Sequence, residues 1–170
     1  MVPDAVDPAD IDETPGDVER PHNHAARLAL EKALAVAARH PGSVVLAADT
    51  VVAAGRRILP KTEDEESARA CLSLLSGRRH HVLTAVAVVD AKGRLRERLS
   101  DTIVTFKPLT GAEIDAYVAT GEWAGKAGGY AIQGRAEAFV RALSGSHSGV
   151  VGLPLYETRG LLLASGFALG

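Results

Sequence analysis

Cysteine, aromatic residues, long apolar runs and a surplus of either charge are all scarce in this sequence, and each scarcity excludes something. Its 170 residues include one cysteine, Cys71, so no intrachain disulfide can form, which suits a reducing compartment. Cys71 falls in a helical-looking stretch and reads as a small buried apolar residue rather than a nucleophile. Phe, Trp and Tyr together make only 4% of the chain, so the core has to be assembled from Ala, Val and Leu. No apolar run approaches the roughly 20 residues that a membrane span needs. The opening residues are acidic and rich in proline (Pro3, Pro8, Pro15), the reverse of a signal peptide's basic, apolar start. Together these features predict a cytoplasmic protein without a membrane partner. A formal net charge of −2 leaves no broad basic face for nucleic acid. One small phosphorylated ligand needs only a local cluster of Lys and Arg.

What the chain does have is an ordinary globular composition, 46% hydrophobic and 24% charged, at a length that suits one domain over residues 1–170. Residues 1–21 read as loop. Leu28, Leu30, Leu34 and Ala38 recur at near-helical spacing from about Asn23 to Arg39, and Pro41-Gly42 ends the segment. Val44–Ala48 is a short Val-rich run of the kind buried on both faces of a sheet. Asp64–Leu75 predicts a second helix closed by Ser76-Gly77. Val82–Val89 and Ile103–Phe106 read as paired strands with a turn at Asp90–Gly93. Thr110 with Glu113 three residues on has the spacing of a capping box. Residues 121–134 hold five glycines, too many for a regular element. Glu137–Leu143, Val150–Pro154 and an amphipathic stretch from Tyr156 to Ala164 complete the chain. Strands and helices interleave, which predicts an α/β fold with a mixed, twisted sheet flanked by helices.

Among the polar residues, Asp49 stands out because it directly follows the first buried strand, at the carboxyl end where open α/β sheets place ligands; it could equally cap a turn. Thr50 beside it offers a hydroxyl for reading a ligand's polar edge. Lys61 precedes the acidic run Glu63–Glu66 and, by itself, reads as a solvated charge paired with those carboxylates. Lys126 lies among the glycines of 121–134, which would let backbone approach a ligand. It does not belong to a Walker A loop, since three residues rather than four separate Gly121 from Gly125-Lys126 and Ala127 follows. Gly145-Ser146-His147-Ser148-Gly149 has His where a nucleophile elbow needs Ser. Neither His22-x-His24 nor His80-His81 has the spacing of a zinc helix motif. Asp10-Ile11-Asp12-Glu13 supplies oxygen ligands suited to Mg²⁺, and also fits an exposed acidic loop.

Several stretches together resemble the Maf family of nucleoside-triphosphate pyrophosphatases: Ala47–Val52 (AADTVV), Leu75–Thr84 (LSGRRHHVLT), Gly121–Gly134 with Gly145–Pro154, and the acidic Asp10–Glu13 followed by Glu31-Lys32-Ala33. The resemblance implies a homodimeric α/β protein with a deep central cleft, similar in fold to the inosine-triphosphate pyrophosphatases. It implies hydrolysis of a nucleoside triphosphate to the monophosphate and diphosphate with Mg²⁺ or Mn²⁺. Asp49 falls on the family's catalytic proton acceptor, and Thr50 and Gln133 on its base-specificity positions. Glu13, Lys32 and Lys61 fall on polar cleft positions; Glu13 would share the metal with Asp49, while Lys32, Lys61 and Lys126 would bind the phosphates. Gln133 matches the branch acting on dTTP and UTP, where the 7-methyl-GTP branch more often has Glu. A neutral amide offers both a donor and an acceptor, as a pyrimidine's N3–H and carbonyl require.

Two departures are visible. The family's first strand and its Ser-x-Ser-Pro-Arg-Arg segment are not found within these residues, and Pro60-Lys61-Thr62 stands where Gly-Lys-Pro is usual. The first departure predicts weak activity for the chain as given, and an unpaired sheet edge. The alternative readings are a nucleotide-binding regulator of cell division without catalysis and a pyrophosphatase preferring 7-methyl-GTP.

Overall fold

Two tight turns fix the arrangement of the sheet in the computed structural model, which describes residues 2–168. Gly55-Arg56 folds β1 (Val45–Ala54) back on β2 (Arg57–Leu59), and Asp90–Arg94 folds β3 (Arg79–Val89) onto β4 (Leu95–Phe106). In the second turn the Asp90 carboxylate accepts from the backbone of Lys92 and Arg94 at 2.9 Å and from Arg96 at 2.9 Å. The Arg96 bond, then that from the Arg94 backbone, draws Asp90 down to a pKa of about 2. Gly93 follows at φ 77°, a conformation that glycine takes without steric cost. Connections this short join antiparallel neighbours. With β5 (Val140–Ser144) the sheet has the order β2-β1-β3-β4-β5, and all four pairings are antiparallel.

Helices cover both faces, as an α/β fold requires. Helix α1 (Pro21–Arg39) lies on one face, where Ala25, Ala29 and Ala33 meet Val45, Val51, Leu83 and Ala85. The small side chains let helix and sheet approach closely. The opposite face carries α2 (Glu65–Leu75), α3 (Gly111–Val118), α4 (His147–Val151) and α5 (Leu155–Ala164). There Leu72 and Leu75 pack on Val82, Val104 and Phe106, while Leu161 and Leu162 cover Val86 and Val88. The capping box at α3 is present: Thr110 N–H donates to Glu113 Oε2 at 2.9 Å, and Glu113 N–H to Thr110 Oγ1 at 3.3 Å. Helix α2 carries a second one, between Asp64 and Ser67.

Five details differ from the sequence-based expectation, the first being that the sheet is antiparallel in all four pairings rather than mixed. Strand β1 runs to Ala54 rather than Ala48, so Asp49 sits inside the strand opposite Ala85, not beyond its end. The β-branched Thr50, Val51 and Val52 continue the extended run, and a cation described below neutralises Asp49. Strand β4 starts at Leu95 rather than Ile103; its charged residues Arg96, Glu97, Arg98 and Asp101 fall on both faces of its first seven residues, which conceals that part from a search for apolar runs. Helix α1 begins at Pro21, whose fixed φ suits a first helical position. The core is not aliphatic throughout. His80, Phe106, Tyr117, Tyr130 and Phe139 form an edge-to-face cluster with ring centroids 4.9 to 6.1 Å apart. Cys71 is buried as expected, and burial pushes its thiol pKa up.

His80 is fully buried and its Nε2 lies 2.8 Å from the Tyr130 hydroxyl. Burial, helped by the neighbouring His81, lowers its pKa from 6.5 to about 4. An unfolded chain therefore takes up this proton at a higher pH than the native one. The contribution is complete above pH 6.5 and is lost progressively toward pH 4. Thermal unfolding from pH 7 to pH 5 should show the melting temperature falling in the unmodified protein and a shallower fall in His80→Gln. Equal slopes would remove His80 from the account.

Candidate active site

Strand β2 covers β1 only from Val52 to Ala54. Over residues 45–51 the same edge of β1 has no strand partner among the described residues. A cleft of about 260 Å³ lies at this edge. Successive strand residues point to opposite faces, so Asp49 projects to the side of α1 and Thr50 to the side of α4. Both line the cleft.

The α1 side holds the charges. Lys32, one turn beyond Leu28 and Ala29 on α1, donates to Asp49 Oδ1 at 2.6 Å and contacts Glu13 Oε1 at 2.5 Å. Asp49 is only 5% exposed, so its charge depends on this partner. Lys61 pairs with the other Glu13 oxygen. Burial opposes the ionisation of Glu13, but the bonds from Lys32 and Lys61 outweigh it and hold the carboxyl below its usual range. Burial likewise opposes the charge on Lys32, and Asp49 with Glu13 reverses that, raising its pKa. Of the acidic segment, Glu13 is the residue bonded to lysines of the cleft; Asp12 Oδ1 accepts from Thr14 N–H at 2.9 Å and closes a local turn.

The opposite wall is held by a short antiparallel ladder. Thr62 N–H donates to Lys126 O at 3.1 Å, Gly125 N–H to Thr62 O at 2.8 Å and Gly128 N–H to Pro60 O at 3.0 Å. Lys61 bridges Ala127 within it, so the ladder joins the two segments that bring Lys61 and Lys126 to the cleft. Gln133 and Tyr130 line the same wall. The glycines do different work from that expected. The amides of Gly125, Gly128 and Gly129 are already bonded inside the protein, and so cannot serve phosphates. Gly128, at φ 67°, abuts Val52, where an added Cβ would lie 2.8 Å from Cγ1. This loop is glycine-rich in order to pack, and it carries its side chains to the cleft.

Six of the residues singled out from the sequence, Lys32, Asp49, Thr50, Lys61, Lys126 and Gln133, therefore share one cleft, with Glu13 bonded to two of them. Lys61 pairs with Glu13, not with the carboxylates that follow it. A match to the Maf-like protein family model extends over residues 1–165. The chain belongs to the Maf family. It is 62% identical over 170 residues to a dTTP/UTP pyrophosphatase of Rhodospirillum rubrum, covering all of this chain and 81% of that protein. It is 67% identical over 157 residues to a dTTP/UTP pyrophosphatase of Novosphingobium aromaticivorans, covering 92% of this chain and 78% of that one. A third, from Caulobacter vibrioides, is 61% identical over 167 residues, or 98% of this chain and 86% of its own.

Sequence reasoning had not selected three further features of this Maf-family cleft. Tyr130 was visible only as part of the glycine-rich run, Val150 and Val151 line the rim, and Thr84 lies directly behind Thr50. The place occupied by the Lys32 ammonium shows what the carboxylates can hold. Among the described residues no cluster of three or more His, Cys, Asp or Glu side chains is arranged around a metal position. Asp49 and Glu13, however, already converge on one cation. Two carboxylates completed by phosphate oxygens are a usual donor set for Mg²⁺, so the residues fit an ion that arrives with a triphosphate.

Lys32→Met keeps the apolar stem and removes the ammonium, leaving Asp49 buried without that partner. Urea unfolding should show a loss of about 1–3 kcal/mol. In Lys32→Met/Asp49→Asn the two effects should fall short of adding, with a coupling of about 0.5–3 kcal/mol. Strict additivity would show that the pair is not energetically linked.

Proposed function

We propose that this cleft hydrolyses dTTP and UTP at the α–β phosphoanhydride, yielding the nucleoside monophosphate and diphosphate. The observation that carries this reading is the convergence of one buried carboxylate, three lysines and two polar side chains suited to a base in a single cleft. The names of the relatives support the substrate class. Water attacks the α-phosphorus while the bond to the bridging oxygen breaks. Asp49 accepts the water's proton, and the electron pair leaves on diphosphate. Lys32, Lys61 and Lys126 offset the charge on the phosphates. A triphosphate competes with Asp49 and Glu13 for Lys32, and engagement of Lys32 by phosphate frees the Asp49 oxygen that takes the proton. Glu13 and Asp49 would hold a Mg²⁺ or Mn²⁺ that supplies Lewis-acid stabilisation of the phosphate oxygens.

Thr50 and Gln133 are the base-reading groups in this scheme. The open edge of β1 supports placing one further strand beside it, of the kind that carries Ser-x-Ser-Pro-Arg-Arg in the family, whose arginines would add bidentate phosphate contacts. Val151, Leu155 and Tyr156, exposed and close to one another in the chain, support an assembly of two copies.

Asp49→Asn retains the shape and removes the basic oxygen. Diphosphate release from dTTP and UTP with Mg²⁺ should slow by roughly 10²–10⁴-fold, and undiminished turnover would dismiss Asp49 as the base. Gln133→Glu puts an acceptor where the pyrimidine carbonyl needs a donor. The loss in kcat/KM for both substrates should correspond to about 1–3 kcal/mol; unchanged values would show that Gln133 does not read the base.

A further inference from the structure

Thr50, Thr84 and Ser100 lie opposite one another on three adjacent strands, Thr50 pairing with Thr84 and Thr84 with Ser100. Helix α4 crosses this polar row at Gly149, which has no Cβ and so can come close; an added one would lie 3.2 Å from Ser100 Oγ. The result is a chain of two hydrogen bonds. Thr84 Oγ1 lies 2.7 Å from the Gly149 carbonyl oxygen, and Thr50 Oγ1 lies 2.9 Å from Thr84 Oγ1. Thr84 is completely buried, whereas Thr50 is partly exposed and lines the cleft.

The direction of both bonds follows from counting protons. A carbonyl oxygen can only accept, so the single hydroxyl proton of Thr84 points at Gly149. Thr84 then has only lone pairs to offer Thr50, and the contact between the hydroxyls is a hydrogen bond only if Thr50 donates. The reverse orientation would leave two oxygens facing each other at 2.7 Å without a proton between them. Thr50 has thus spent its proton inside the protein, and what it presents to the cleft is a lone pair.

We infer that Thr84 is a specificity-determining positioning residue: by taking the Thr50 proton it fixes Thr50 as a hydrogen-bond acceptor, which admits a base carrying a ring N–H and rejects one carrying a ring lone pair. This rests on the reading of the cleft as a pyrimidine nucleotide site. Uracil and thymine present N3–H at this edge, and cytosine, a ring of the same size, presents the unprotonated N3. Discrimination against cytosine then needs no steric block, since two lone pairs face each other. Thr84 acts through Thr50 and touches no ligand.

The test compares kcat/KM for UTP and CTP in the unmodified protein, Thr84→Val, Thr84→Ala and Thr84→Ser, with melting temperature measured in each. Binding of UMP and CMP is measured by calorimetry alongside. In Thr84→Val and Thr84→Ala the Thr50 hydroxyl regains a free proton and can donate to cytosine N3. The preference for UTP over CTP should therefore fall by about tenfold, the effect of one neutral hydrogen bond, mostly through a gain for CTP. Thr84→Ser restores the relay and should restore the preference. The alanine variant covers the case in which valine does not pack, and the serine variant gives a readout that a merely structural role would not produce. An unchanged UTP/CTP preference in a folded Thr84→Val or Thr84→Ala protein overturns the inference, as does a loss of preference in Thr84→Ser equal to that in Thr84→Ala. If the unmodified protein released no diphosphate from UTP, the catalytic reading would fail separately. The UMP/CMP binding preference would still fall in Thr84→Val if the relay is correct and would stay constant if it is not.

Discussion

The Lys32 ammonium, held between Asp49 and Glu13, is the contact on which the rest of the site depends. A carboxylate in the middle of a strand and almost closed to water is costly unless it is paired. Strand β1 therefore requires a cation at one height on one face, and α1 is the element that reaches it. The alanines of α1 at 25, 29 and 33 let the helix lie close enough for Lys32 to bond at 2.6 Å. The same ammonium binds Glu13 and so brings the extended N-terminal segment into the cleft, while Glu13 passes the link to Lys61 on the opposite wall. Four separate pieces of chain are thereby tied by one alternating row of charges. Such a row is suited to a polyanionic ligand, because each lysine holds its place before the ligand arrives and can exchange a carboxylate for a phosphate oxygen.

The glycine-rich loop shows why composition alone misleads about mechanism. Glycines near a lysine suggest a backbone cradle for phosphate, yet here their amides are committed to Pro60, Thr62 and Lys126. Gly128 is small because Val52 leaves no room for a Cβ. The loop acts as a rigid bracket against the sheet, and the bracket positions Lys126, Tyr130 and Gln133. Rigidity of this kind preorganises the wall, so that binding need not order it first.

Much of the fold was legible in the sequence where one physical signal dominated. The capping box at Thr110, the turn at Asp90–Gly93 and helix α2 each rest on local chemistry and stand where local chemistry puts them. Strand β4 was legible only in part, because Arg96, Glu97, Arg98 and Asp101 interrupt its first seven residues, so that an apolar run marks its last four residues alone. The end of β1 was obscured for a different reason. Asp49 reads as a terminator until Lys32, distant in sequence, is known to neutralise it. Asp49, Lys32, Lys61 and Gln133 could be singled out by resemblance, but the pairing of Lys61 with Glu13 could not, since it joins residues 48 positions apart. Thr84 closes the LSGRRHHVLT stretch, but its contact with Thr50 was unreadable for a similar reason, since only the register of β1 against β3 reveals it.

The same register explains how two adjacent residues can take unrelated tasks. Alternation along β1 sends Asp49 toward the charges on α1 and Thr50 toward the buried hydroxyl of Thr84. A cleft that lies across the free edge of the strand reaches both faces, whereas a cleft confined to one face would meet only alternate residues. Under the proposed reaction, charge and proton transfer are handled on one side of β1 and base recognition on the other. The sheet between them limits direct electrostatic interference. Asp49 can remain charged next to its lysines while Thr50, one residue away, is tuned by a neutral hydrogen-bond relay. The division depends on the edge of β1 being reachable from both sides at residues 48–51, and it is the early end of β2, which pairs no further than Val52, that keeps it so.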